Sequence, residues 1–183
     1  RDFEIVWSHH HIILDGWSAG ILQEEFAALY SGAPPLPLAP PYRSFSDWLA
    51  TRDREASRRF WAGYLAGYQP PARIPGLDLG GRARGWALEE HIFHFDKDAT
   101  AALAAFAARE GVTLNSILQA VWGILLGAYN GLRDVVFGAV VSGRPAGLVG
   151  VEKMVGLFLQ TVPVRVQFDG QQTGFRHITA PQF

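Results

Sequence analysis

Residues 8–18, Ser-His-His-His-Ile-Ile-Leu-Asp-Gly-Trp-Ser, constrain the fold more than any other stretch of the chain. A short β-rich run, Phe3-Glu4-Ile5-Val6-Trp7, precedes them and reads as a strand. Ser18 is a suitable N-cap for the helix that follows, which runs to about residue 30 and turns Leu22, Phe26, Leu29 and Tyr30 to one face. Ser31-Gly32 closes it. The pattern is strand, polar turn, amphipathic helix, with three histidines and a carboxylate in the turn. On a strand His9 and His11 would share one face and His10 would take the other.

The remaining chain alternates in the same way. Residues 33–41 hold five prolines and form an extended connector. A second helix, capped by Ser44 or Ser46, is expected to continue to about residue 66. Residues 68–85 are rich in Pro, Gly and Arg and read as a linker. A strand is expected at 86–95, an alanine-rich helix capped by Asp98 to residue 109, and a longer helix at 114–129 capped by Thr113 and closed by Asn130-Gly131. Strands follow at 134–142 and 156–168, where Pro163 marks an edge or a bulge. Helices alternating with strands give an α/β class in two layers.

Composition narrows the function. The 183 residues carry a formal net charge of −1, so there is no electrostatic case for nucleic acid or an anionic membrane as partner. No cysteine is present, which removes disulfides and cysteine metal sites and agrees with a cytoplasmic setting. No apolar run approaches the roughly 18 residues of a membrane span. The chain starts within a strand-like run without Met, as expected of a piece of a longer polypeptide.

Three chemistries fit the turn. His9 and His11 could chelate a metal, but the later histidines His91, His94 and His177 stand in no ligand spacing, so no metal is expected. Gly16-Trp17-Ser18-Ala19-Gly20 matches the G-x-S-x-G pattern of serine hydrolases and thioesterases between an apolar run and a helix, with Ser18 as nucleophile and Asp134 or Asp169 followed by His177 as partners. Finally, His10-His11-x-x-x-Asp15-Gly16 fits H-H-x-x-x-D-G, an acyl-transfer pattern. There His11 faces the reacting groups as a base, and His10 is buried and structural. Asp15 takes an arginine partner at the turn, and Gly16 permits a backbone conformation that a side chain would block.

At this point the sequence resembles the condensation domains of nonribosomal peptide synthetases. Ser8 to Leu22 is similar to that family's central motif with its flanks. Tyr42-Arg43-Ser44-Phe45-Ser46-Asp47-Trp48 is similar to the next motif, with Ser44 and Ser46 in place of an acid and an alanine. Val155 to Arg165 resembles the one after, with Gln160 where asparagine is usual, and Ser142-Gly143-Arg144-Pro145 looks like the loop leading into it.

The resemblance implies a fold similar to chloramphenicol acetyltransferase, two lobes with a tunnel between them, here incomplete. Residues 1–66 would end the N-terminal lobe, 67–86 would link, and 87–183 would begin the C-terminal lobe. It implies amide formation between a donor acyl thioester and the amine of an acceptor aminoacyl thioester. Both would hang from the phosphopantetheine of carrier proteins, with no cofactor bound directly. Upstream and downstream peptidyl carrier domains and an adjacent adenylation domain are the implied partners. The catalytic residue would be His11, supported by His10, Asp15 and Gly16, with Gly156, Gln160 and Thr161 near the tunnel. The partner of Asp15 is expected in an arginine motif upstream of this chain. In this family the serine at Ser18 only starts a helix. An epimerization domain, a Ser18 hydrolase and a non-catalytic carrier-docking module stand as alternatives. The flanks of the motif look more like the type that takes an L-configured donor.

Overall fold

The computed structural model describes residues 3–69, 72–74 and 90–168. Most of the linker expected at 68–85, the start of the strand expected at 86–95, and Asp169 and His177 lie outside the described residues. Among these residues five helices and two strands follow in the order α1 (Gly16–Tyr30), α2 (Arg43–Ala50), α3 (Arg54–Tyr64), α4 (Lys97–Glu110), α5 (Leu114–Asn130), β1 (Asp134–Val141) and β2 (Gln160–Gln167), with one 3₁₀ turn at Val151–Lys153. The class is mixed α/β. The described residues separate into two compact units, one of residues 3–64 and 139–162, the other of the described residues within 65–138 and 163–168.

Local chemistry sets the helix limits, with some departures from expectation. Asp15, not Ser18, caps α1: its Oδ1 accepts from the Ser18 N–H at 2.8 Å, which makes Ser18 the third helical residue. The helix expected to run unbroken to residue 66 stops at Ala50 and restarts at Arg54. Asp53 causes the restart, because its Oδ1 accepts from the Ala56 N–H at 2.9 Å. Tyr42, not Ser44 or Ser46, occupies the N-cap of α2. Asp96 caps α4, and Asp98 falls in its first turn. Thr113 and a left-handed Gly131 bound α5 as expected.

Two expected strands are absent among the described residues: 3–7 and 90–95 carry no strand hydrogen bonding. Their side chains favour β structure, but a strand exists only where a partner backbone takes up its donors and acceptors. The strand expected from residue 156 starts at Gln160, because the backbone groups of Gly156 and Phe158 are engaged elsewhere. β1 and β2 pair with one another.

In the first unit Phe45, Val151, Met154 and Phe158 form a buried cluster, with Trp48 and Leu148 packed against it. In the second, α5 turns its small residues to β2. A Cβ on Gly123 would fall 2.6 Å from the Val166 side chain, and one on Gly127 would fall 2.4 Å from the Phe168 ring. Arg165 donates to both oxygens of Asp134, at 2.8 and 2.5 Å, and so ties the two strands. No single described helix is long and apolar enough to cross a membrane.

Candidate active site

The turn of residues 11–13 and the start of α1 carry the candidate residues, all in the first unit. Leu14, Asp15 and Ser18 are buried, at 6%, 2% and 0% exposure, while the histidines stay exposed. Three buried residues therefore anchor the turn, while the imidazoles stay open to solvent.

The two motif histidines hold their protons on opposite nitrogens. His11 Nδ1 lies 2.9 Å from the Leu14 carbonyl oxygen. A carbonyl only accepts, so Nδ1 donates, and the neutral ring presents its lone pair at Nε2. His10 Nδ1 accepts from the Ile12 N–H at 3.0 Å, which leaves the His10 proton on Nε2. His10 was expected to be buried, but it is exposed, and this bond is made on the turn's own backbone. Among the described residues His9 makes ring contacts, to Trp7 at 5.0 Å and His11 at 6.2 Å between centroids. The backbone at Gly16 is helical and a Cβ there would meet nothing within 4 Å, so it does not relieve a local clash.

Behind the turn sits a polar cluster that joins distant parts of the sequence. Arg144 is the partner of Asp15, with Nη2 3.3 Å from Oδ1 and side-chain exposures of 5% and 3%. The partner expected upstream is therefore supplied within this chain, 129 residues later. The same guanidinium donates to Ser18 Oγ at 3.0 Å, to the Met154 carbonyl at 2.9 Å and to the Val151 carbonyl. It stacks 3.9 Å above the Phe158 ring. Asp15 Oδ2 accepts from the Phe158 N–H at 3.1 Å. Trp17 donates its indole N–H to the Glu152 carbonyl at 2.9 Å, which fastens the 3₁₀ turn to α1.

Ser18 is fully engaged. Its hydroxyl donates to the Gly156 carbonyl at 2.7 Å and accepts from the Gly156 N–H at 3.0 Å and from Arg144. One proton and two lone pairs are all a serine hydroxyl has. No base among the described residues reaches it, and Asp134, one of its proposed acids, is committed to Arg165 and Gln167. The hydrolase reading of Ser18 is corrected on this geometry: a nucleophile must be open to substrate and bonded to a base.

Gly156 is buried in the same cluster, where a Cβ would fall 2.1 Å from the Tyr42 ring. Tyr42 also donates its hydroxyl to the Leu157 carbonyl at 2.6 Å. Gln160 is half-buried at the start of β2, and Thr161 beside it is exposed. No three His, Asp or Glu side chains group to hold a metal ion among the described residues.

Burial would raise the Asp15 pKa, but hydrogen bonds from Ser18 and Phe158 and the Arg144 charge outweigh it and hold the carboxyl below its ordinary 3.8. A depressed carboxylate stabilises the fold above its unfolded pKa, and that contribution is lost as pH falls through the folded value. The urea midpoint of the wild type should therefore exceed that of Asp15→Asn at pH 7, and the gap should shrink below about pH 4. A gap that does not change with pH would show that the carboxylate charge contributes nothing. Tyr42 shifts the other way: burial, then the Asp15 charge, raises its hydroxyl above 10.0.

The comparisons with known proteins bear on this arrangement. The family model for the condensation domain matches residues 1–182. Bacitracin synthase 3 of Bacillus licheniformis is 40% identical over 176 residues, which are 93% of this chain and 3% of that protein. Tyrocidine synthase 3 of Brevibacillus parabrevis is 41% identical over 176 residues, again 93% of this chain and 3% of the relative. The chain thus spans a few per cent of the length of these relatives. Among solved structures, the first condensation domain of the calcium-dependent antibiotic synthetase, in complex with substrate analogue 2a, superposes with a TM-score of 0.63 at 24% identity. That match covers 89% of this chain and 39% of the other, and it carries the fold. With a family model matched nearly end to end, and with the H-H-x-x-x-D-G turn braced by Arg144 and Ser18, the chain belongs to the condensation domain family.

Proposed function

We propose that the chain is the part of a nonribosomal peptide synthetase condensation domain that carries the reacting histidine. The activity is amide formation between a donor acyl thioester and the α-amine of an acceptor aminoacyl thioester. The observation that supports it best is the Nδ1 hydrogen bond of His11, which leaves Nε2 as the accepting atom of an exposed ring in the family motif. The amine nitrogen attacks the thioester carbonyl carbon, the carbon–sulfur bond breaks, and the donor arm leaves as a thiol. The amine loses one proton, which His11 Nε2 takes and passes to the departing sulfur. A free α-amino group has a pKa of about 7.7–8.0, so a useful fraction of it is neutral without help. Positioning of two tethered substrates then supplies much of the acceleration, and His11 supplies proton acceptance and a hydrogen bond to the adduct.

Both substrates ride on phosphopantetheine arms of peptidyl carrier domains, and an adenylation domain loads the acceptor carrier, in the cytoplasm. The curated relatives, all synthases of larger size, support that setting. Residues 1–66 and 87–183 belong in this reading to the two lobes, joined by 67–86. Gly156, Gln160 and Thr161 lie near the path of the substrates, and the donor is L-configured.

His11→Ala in the full-length protein should lower condensation by roughly 10²–10⁴-fold while loading of the carriers persists. Product formation at the wild-type rate would refute the assignment. Release of free acid in place of dipeptide would speak for hydrolysis, and inversion of the donor's α-carbon for epimerization.

A further inference from the structure

The Leu14–Asp15 peptide unit links the buried cluster to His11. Its N–H donates to the Gly156 carbonyl at 3.3 Å, and its C=O accepts from His11 Nδ1 at 2.9 Å. The described chain contains no cis peptide bond. In a trans peptide the N–H and C=O point in opposite directions and turn together as one rigid plane. Whatever fixes the Gly156 carbonyl therefore fixes the direction of the Leu14 carbonyl, and with it the nitrogen of His11 that carries the proton.

Ser18 fixes the Gly156 carbonyl. It binds both backbone groups of that glycine, donating to its C=O at 2.7 Å and accepting from its N–H at 3.0 Å. Tyr42 leaves no room for a side chain at Gly156, so the glycine backbone stays within reach. Arg144 fills the last lone pair of Ser18 at 3.0 Å and holds the hydroxyl proton toward Gly156.

We infer that Ser18 is a positioning residue for His11: its hydroxyl, through the Gly156 carbonyl and the Leu14–Asp15 peptide plane, holds the imidazole as the Nδ1–H tautomer with Nε2 free. The inference rests on the proposed role of His11 for its catalytic meaning, but the tautomer it assigns is independent of that role. Removing the hydroxyl frees the Gly156 carbonyl, lets the peptide plane rock, and releases Nδ1.

The test uses full-length protein with ¹⁵N-labelled histidine, with the His11 signals assigned by their loss in His11→Gln. Wild type should show the Nδ1–H form at His11. Ser18→Ala should show a mixture of tautomers, with kcat lowered about tenfold and KM for the acceptor carrier unchanged. Ser18→Thr, which keeps the hydroxyl, should restore the Nδ1–H signal. If Ser18→Ala does not fold, Ser18→Cys, of similar shape but with a weaker donor, carries the same comparison. A His11 that remains the pure Nδ1–H tautomer in the folded Ala or Cys variant overturns the inference. A shifted tautomer with an unchanged rate upholds the relay and instead refutes the catalytic role of His11.

Discussion

Asp15→Ala should destabilise the fold by about 3–5 kcal/mol, because it strands a buried guanidinium. Arg144 has 5% side-chain exposure, and Asp15 is the only anion it touches among the described residues. Its other acceptors, Ser18 Oγ and the carbonyls of Val151 and Met154, are dipoles and do not cancel its charge. The substitution also strips the cap from α1 and leaves the Phe158 N–H without its acceptor. Each of those losses alone is of order 1 kcal/mol. They fall on one network, so they will not add to the first in full.

A double-mutant cycle separates the charge from the cap. Arg144→Met removes the cation and keeps apolar volume over Phe158. If the stranded charge dominates, Asp15→Ala in the Arg144→Met background should lose only the cap and the Phe158 acceptor, on the order of 1–2 kcal/mol. Urea unfolding of the four proteins measures this. A loss from Asp15→Ala that is the same with and without Arg144 would sink the ion-pair account. The effect on activity should follow, because Asp15 also begins the helix against which the His11 turn is braced.

How much of this could be read beforehand differs from residue to residue. The H-H-x-x-x-D-G turn is a local pattern, so the turn, an arginine partner for Asp15 and the helix after them are legible. The cap of α1 was misassigned to Ser18 because Asp15 and Ser18 are both good N-caps, three residues apart. Only the burial of Ser18 against Gly156 decides between them. The same ambiguity between two acids placed the start of α4 at Asp98 rather than Asp96. Strand propensity at residues 3–7 and 90–95 misled for another reason: pairing is a property of two segments, and a sequence displays one at a time.

Arg144 shows the limit most clearly. Its Ser-Gly-Arg-Pro setting was visible as a loop, yet the carboxylate it serves lies 129 residues away. An arginine between glycine and proline, directly after an apolar strand, is one signal that could have raised it. Tyr42 and Gly156 offered less, since an aromatic ring over a glycine backbone is a contact that neither local sequence predicts.

The glycine beside Arg144 supplies the sharpest test of how tightly the cluster is built. Gly143 has φ +60°, and a Cβ there would fall 2.0 Å from the Phe158 carbonyl oxygen and 3.2 Å from its carbon. The left-handed conformation alone costs a residue with a side chain about 1–2 kcal/mol. The clash adds to it, because Phe158 has little freedom to retreat. Its N–H is held by Asp15 at 3.1 Å, and its ring is packed 4.7 Å from Phe45 and 5.1 Å from Tyr42. Overpacking of this kind adds about 1–3 kcal/mol, so Gly143→Ala should cost about 2–5 kcal/mol. Gly131 is the control: its φ is +64°, but a Cβ there would meet nothing within 4 Å. Gly131→Ala should lose only the conformational part, about 1–2 kcal/mol. Equal losses at the two positions, measured by urea unfolding, would show that Phe158 yields. In that case Gly143 would be kept for its backbone conformation alone, and the loop bearing Arg144 would be softer than its hydrogen bonds suggest.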